Sequence, residues 1–373
     1  IAMENQPPFQ LKNIYNAQVL ADYAELVKKV WKPFAAQDFL KNVFDENWIR
    51  LELKERTRHI SDQLRRHLPQ NYDEATQILT ETVQKLLALS GEKMVFEHGF
   101  IPDFVERFGT DEPDVSVPAL ETITRWTSAE FAVRPFLLKY PERMFAQMLD
   151  WSGHESAQVR RLSSEGFRPR LPWGMGLPVL KKDPSPILPV LEKLKNDPAE
   201  TVRRSVANNL NDISKDHPGL VLQIAGRWLG NSPETDWIVR HACRSLLKKG
   251  DATALAHFGF EKELSGIEIS DFSFSEKVRL GGQLDFSFTV KNASGIPANI
   301  RLEYAIDYIT STGKISRKVF KIKELKIMPA AEISIFKKQS FQDFTTRKHF
   351  AGRHQLAILV NGKMLVAGSF EVL

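Results

Sequence analysis

The apolar residues of this 373-residue chain change their period once, and that change limits the fold more than any other feature. From about Ala17 to Phe258 they recur at helical spacing, as Val202, Val206, Leu210 and Ile213 do in AETVRRSVANNLNDI. Breaks at HLPQNYD, FGTDEPDVSVP, KYPE, KKDPSP and KDHPG carry the proline, glycine and aspartate expected between helices. After about Phe260 the segments QLDFSFTVKN, RLEYAIDYI, RKVFKIKELKI, AEISIFKKQSF, HQLAILVNGK and LVAGSFEVL read as strands, with turns at ASGIP, STGK and VNGK. Seven or so strands in about 110 residues, with no helical stretch, predict an antiparallel β-sandwich of immunoglobulin type. The expected organisation is a helical domain over residues 1–260 and a sandwich over 261–373.

The helical part contains a weak internal repeat. AEFAVRPFLLKYPE, HESAQVRRLSSEG, AETVRRSVANNL and DWIVRHACRSLL align on Val-Arg at 133–134, 159–160, 202–203 and 239–240. The last two spacings, 43 and 37 residues, fit a helix-pair repeat of the HEAT kind, whereas the first, 26, implies an abbreviated unit. Such units cannot bury their faces alone, so they are expected to stack into a right-handed superhelical α-solenoid with a concave surface. The valine is the core anchor, and the arginine beside it is expected to make structural ion pairs.

Charge is unevenly spread. Lys and Arg against Asp and Glu number 18 and 23 in residues 1–150, 16 and 11 in 151–260, and 17 and 12 in 261–373, giving −5, +5 and +5. A positive last two-thirds suits an anionic polymer better than a small neutral metabolite. With one cysteine, Cys243, no intrachain disulfide can form, and a reducing, cytoplasmic compartment is expected. A basic-then-apolar leader and an apolar run of about 18 residues are both missing, so neither secretion nor membrane spanning is predicted.

Three stretches could carry chemistry. TRWTSAEFAVRPF places Trp126, Glu130 and Arg134 at i, i+4 and i+8, which on a helix would form one strip; the bland alternative is a salt bridge beside a buried tryptophan. Opposite the apolar stripe of residues 200–213 stand Ser205, Asn208, Asn209 and Asp212. Asparagine and aspartate cost stability inside a helix, so they either face something useful or mark its fraying end. In SSEGFRPRLPWG, Arg168 and Arg170 each precede a proline and Trp173 follows one, giving a stiff cationic, aromatic loop or a rigid connector. GxxxxGK[ST], GxGxxG and HExxH are absent, and the histidines are scattered, so neither a cofactor nor a metal is predicted.

Taken together, SAEFAVRPFLLKYPE, VRRLSSEGFRPRLPWG and VRRSVANNLNDISKDHP resemble the AlkC-type DNA glycosylases, a branch of the AlkD-like family built on HEAT-like repeats, some of which carry a C-terminal immunoglobulin-like domain. The resemblance covers nearly the whole chain. It implies removal of 3-methyladenine and 3-methylcytosine from duplex DNA in base excision repair, by a monomer with no cofactor or metal. By motif position it implies Glu130 and Asp212 as catalytic carboxylates, with Trp173 and Arg161 as further site residues. An N3-alkylated base is cationic and leaves readily, so what needs help is the oxocarbenium-like sugar. A carboxylate stabilises that charge and can position water, while an aromatic face favours a cation. Arg168 and Arg170 are expected to hold phosphates, with Trp126 and Asn208 in the same groove. Arg347 and Lys348 in TTRKHFAGRH, or Lys314, Arg317 and Lys318, are expected to contact DNA from the sandwich, unless they only discourage edge pairing. The alternative reading is a non-enzymatic helical scaffold that binds DNA or a protein partner.

Overall fold

The computed structural model describes residues 10–344 and 348–373, so Arg347 lies outside the described residues. α-Helices follow one another from Ala17–Val30 to Ala252–His257, and strands begin at Ile267. The change of period is therefore a real change of structure. By packing, the chain divides into two compact units at Asp216 and His217. The helices between Pro218 and His257 thus go with the sandwich, although their period matches the helices before them. Among the described residues no helix is long and apolar enough to cross a membrane.

The Val-Arg repeat has a physical basis. Val133, Val159, Val202 and Val239 are all buried. Arg160 Nη1 donates to the carbonyls of His154 and Glu155, at 2.9 and 2.8 Å. Arg203 Nη1 does the same to Asp197 and Pro198, at 2.6 and 2.8 Å, again six and five residues back. In both copies the arginine closes the turn that enters its own helix. Arg160 also holds Asp197 through two bonds, 2.6 and 3.0 Å, which links one repeat to the next.

In the C-terminal unit, β1 (Ile267–Phe274), β3 (Gln283–Asn292) and β6 (Glu332–Ser340) form one sheet in the order β1-β3-β6. The other contains β2 (Lys277–Val278), β4 (Ala298–Ile309), β5 (Ile315–Ile327), β7 (Gly352–Val360) and β8 (Lys363–Val372), ordered β2-β8-β7-β4-β5. Phe286, Phe288, Ile300, Leu302, Ile306, Leu356 and Ile358 fill the space between the sheets. β7 and β8 are joined through Asn361 and Gly362, both at positive φ (48° and 76°), as a tight two-residue hairpin requires. A Cβ on Gly362 would lie 2.3 Å from Gly250 Cα, so two glycines let the last helices press against this hairpin. β4 is buried on both faces for most of its length although polar residues alternate with its apolar ones, and Arg301 and Glu303 are buried there as an ion pair.

Candidate functional site

Glu130 lies in the turn between the helices Pro113–Thr124 and Val133–Lys139. The expected helical strip of Trp126, Glu130 and Arg134 does not form, because the helix stops at Thr124. Trp126 is buried, and its Nε1–H donates to His98 Nδ1 at 2.6 Å. Burial lowers the His98 pKa to about 4, with Glu97 opposing, so the ring is a neutral acceptor. Trp126 is thus a core residue and does not belong to a groove.

Arg134 has a structural task too. It is fully buried; its Nε donates to the Met175 carbonyl at 2.7 Å and its Nη1 to the Gly166 carbonyl at 2.9 Å. One guanidinium therefore fastens both ends of the loop from Gly166 to Met175. Burial, with Arg168 adding to it, lowers its pKa to about 10, against the pull of Asp212, Glu130 and Glu165. At the loop's apex Trp173 has φ 65°, unusual for a bulky residue, and the residue is 60% exposed. Lys54 reaches from the helix Leu53–His67 to the Trp173 carbonyl. The prolines, Arg134 and Lys54 together present an indole that is held in place without being buried.

Five side chains then form an alternating chain of charge. Ser128 Oγ and Arg161 Nη1 both donate to Glu130 Oε2, at 2.6 and 2.8 Å. Arg161 Nη2 lies 3.9 Å from Glu165 Oε1, to which Arg168 Nη1 donates at 2.7 Å. Arg168 Nε donates to Asp212 Oδ2 at 2.9 Å. Glu130 and Asp212, 82 residues apart, are thus joined through Arg161, Glu165 and Arg168. The helix Glu200–Ile213 supplies the far end: Ser205 donates to Glu165 Oε2 at 2.6 Å and Asn209 to the Ser164 carbonyl at 2.8 Å. Its polar face is buried against the helix Ala157–Glu165, and Asp212 sits within the helix, so the polar face has a use other than fraying. Asn208 is half-buried on the same helix.

The three carboxylates differ in one respect. Glu165 has both oxygens engaged, by Arg168 and Ser205. So has Asp212, by Arg168 and, at 3.3 Å, by Lys215, and its side chain is only 3% exposed. Glu130 uses Oε2 alone, which leaves Oε1 for a further partner. Glu130 also lines a cleft of about 390 Å³ with Arg161, Trp173, Phe131, Lys54 and Met175, whereas Asp212 does not. The expectation that Arg168 holds a phosphate fails, because it is buried and divided between two carboxylates. Burial alone would lower its pKa; the bonds from Asp212 and Glu165 more than offset that. Arg170 is committed as well, to Asp216 through bonds of 3.0 and 2.6 Å.

Glu165 escaped the reading of the sequence. The available signal was its place four residues after Arg161 and three before Arg168, which puts one carboxylate between two guanidinium groups. In the C-terminal unit Lys348, Lys314 and Lys318 are exposed, while Arg317 is held by Asp307 at 2.7 and 2.8 Å. Among the described residues no group of three or more His, Cys, Asp or Glu side chains is placed to hold a metal ion.

The comparisons with known proteins agree with the succession of helical repeats and sandwich. The model of a C-terminal Ig-like domain, described for the uncharacterised protein YhaZ, matches residues 268–373, and the HEAT repeat model matches 187–217. The uncharacterized protein YhaZ of Bacillus subtilis (strain 168) is 46% identical over 363 residues, covering 97% of this chain and 99% of that protein. The Pseudomonas fluorescens alkylpurine DNA glycosylase AlkC, solved bound to DNA containing an abasic site analog, is similar at a TM-score of 0.90 and 37% identity, over 98% of this chain and all of that one. With the HEAT-like helices, the Ig-like sandwich and this likeness extending over almost the whole of both chains, the protein belongs to the AlkC family.

Proposed function

We propose that this protein is a monofunctional DNA glycosylase that removes cationic N3-alkylated bases, 3-methyladenine and 3-methylcytosine, from duplex DNA. The observation that carries the reading is Glu130: a carboxylate with one open oxygen on the wall of a mostly apolar cleft, next to a fixed, exposed indole. The likeness to a glycosylase solved on DNA with an abasic site analog, the form of DNA left when a base is gone, supports it.

In this mechanism the bond between C1′ and the base nitrogen breaks, its electron pair goes to the base, and the base departs neutral. Positive charge develops on C1′ and the ring oxygen. Glu130 Oε1 faces that charge, and Arg161 and Ser128 keep the carboxylate oriented through Oε2, so little reorganisation is needed as charge develops. Water adds to C1′ and gives its proton to Glu130. Asp212, the second carboxylate, acts through Arg168 and Glu165; it keeps the charged chain aligned and contributes negative potential in a site of low dielectric. Trp173 offers its face to the cationic base. Lys348, and Arg347 next to it, would add phosphate contacts from the sandwich.

The second reading, a scaffold that binds without catalysis, draws on the burial of Asp212 and the commitment of both its oxygens. The test is incubation with a duplex bearing one 3-methyladenine or one 3-methylcytosine, with detection of free base. Base released from the alkylated duplexes and not from the unmodified control is expected; a duplex bound but left intact would establish the scaffold.

A further inference from the structure

The wall of the cleft contributed by the helix Phe100–Phe108 is acidic as well. Asp103 and Glu106 line it, one helical turn apart. Arg58, from the helix Leu53–His67, stands between them, 3.8 Å from Asp103 and 3.4 Å from Glu106. Both distances exceed those of tight ion pairs, so a single cation is shared loosely by two carboxylates. The other nearby cations are occupied: Lys54 by the Trp173 carbonyl, and Arg107 by Asp62 at 2.8 Å. Asp103 Oδ2 is buried without a hydrogen-bond partner. With Glu130 in the same cleft, a ligand there meets three carboxylates among mostly apolar surroundings, and the lining cations Lys54, Arg58 and Arg161 are each already engaged by protein oxygens.

We propose that Asp103 and Glu106 are specificity-determining residues, a charge filter that favours a cationic base in the cleft over a neutral one of the same size. The inference rests on the reading of this cleft as the place where the lesion is met. A neutral base there would desolvate carboxylates and return nothing, whereas a cation compensates them. Selectivity thus comes from what the wrong ligand leaves unpaired.

The filter has a pH signature. Burial, with Asp103 adding to it and Arg58, Lys54 and Arg107 opposing, raises the Glu106 pKa to about 7. Burial raises Asp103 too, Asp62 adding to it and Ser61, Arg58 and Arg107 opposing. Glu130 and Arg161 are the remaining charged groups of the cleft. Near neutrality the empty cleft therefore holds a proton on Glu106 for much of the time. A cation beside it favours the ionised form, so binding releases that proton. Preference for the cation then strengthens as pH rises towards about 7 and levels off above it.

The test uses the full chain and two duplexes differing in one nucleotide, 3-methylcytosine (cationic) or its neutral isomer 5-methylcytosine. A 2′-fluoro sugar in each slows bond cleavage, so that affinity is measured. The ratio of the two affinities is expected to rise up to about tenfold per pH unit between about pH 5.5 and 7 and to plateau by about pH 8. Glu106→Gln is expected to flatten the profile and lower the plateau; Asp103→Asn lowers the plateau and provides a second variant if the first folds poorly. A flat wild-type profile, or an unchanged one in Glu106→Gln, overturns the filter. Base release from the unfluorinated 3-methylcytosine duplex, run in parallel, separates the two ideas. Release with a flat profile removes the filter alone, and a sloping profile without release removes the glycosylase reading alone.

Discussion

Each of the two units contains a buried ionic network, and the two differ in what they leave open. In the C-terminal unit Arg301 and Glu303 are buried inside β4, joined by bonds of 2.9 and 2.7 Å, and Arg301 continues to Glu324 at 2.5 Å and from there to Arg240. Burial raises the Glu303 pKa, and Arg301 holds it back. The surface cleft beside that network, about 280 Å³, is lined by cations such as Arg240, Arg244, Lys248 and Lys321. In the N-terminal unit cations again sit between carboxylates, but the end that meets the cleft is an acid, Glu130. A buried ion pair is therefore poor evidence of chemistry in itself. What distinguishes the N-terminal network is an uncommitted carboxylate oxygen on a mostly apolar cleft.

The largest effects come from removing the central cation of each network. Arg168→Met strands Glu165 and Asp212, and Arg301→Met strands Glu303 and Glu324; each should cost about 3–5 kcal/mol in denaturant unfolding. Excision by folded protein should vanish in the first variant and persist in the second. Equal activity in the two would dissolve the contrast.

Trp173→Ala sharpens it from the other side. The ring is largely exposed, so its loss should leave stability within about 0.5 kcal/mol, yet slow excision roughly tenfold through the lost cation–π contact. Single-turnover rates and melting curves together check this.

Glu106→Gln should reveal the strain of the acidic wall. The folded pKa is raised, so the folded state binds a proton more readily than the unfolded one. Its stability contribution is present below the ordinary carboxylate range and is lost as pH rises through about 7. Glutamine in its place should raise the melting temperature by a few degrees at pH 8 and leave it unchanged at pH 4. The smallest effect is expected for the exposed Lys348: Lys348→Ala should weaken duplex binding by less than about threefold, and less still at high salt.

Much of the fold was legible because it depends on periodicity. β3 to β8 coincide closely with the alternating segments of the sequence. β1 was missed because Asp271 takes φ 51° and shifts the register between Ser270 and Ser273, which breaks the alternation. The site was legible only in part. Glu130 and Trp173 stand in motifs that read as unusual, but the Trp126 to Arg134 strip assumed a helix through Thr127-Ser128, where capping-type residues already hinted at a stop. Arg134 belongs to that strip by spacing alone; it is also a member of the Val-Arg series, in which Arg160 and Arg203 turn back onto the chain. Asp103 and Glu106 gave no signal, because FIPDFVERF reads as an ordinary amphipathic helix with solvated acids. Their desolvation arises from helices that are distant in sequence, and no local pattern records it.

The central claim is that Glu130 stabilises the sugar cation, and single-turnover excision by Glu130→Gln tests it most directly. With saturating protein and a 3-methyladenine duplex, the rate should fall about 10²- to 10³-fold, while affinity for the duplex and thermal stability remain near wild type. Base release at the wild-type rate by a folded, DNA-binding Glu130→Gln protein would contradict the account.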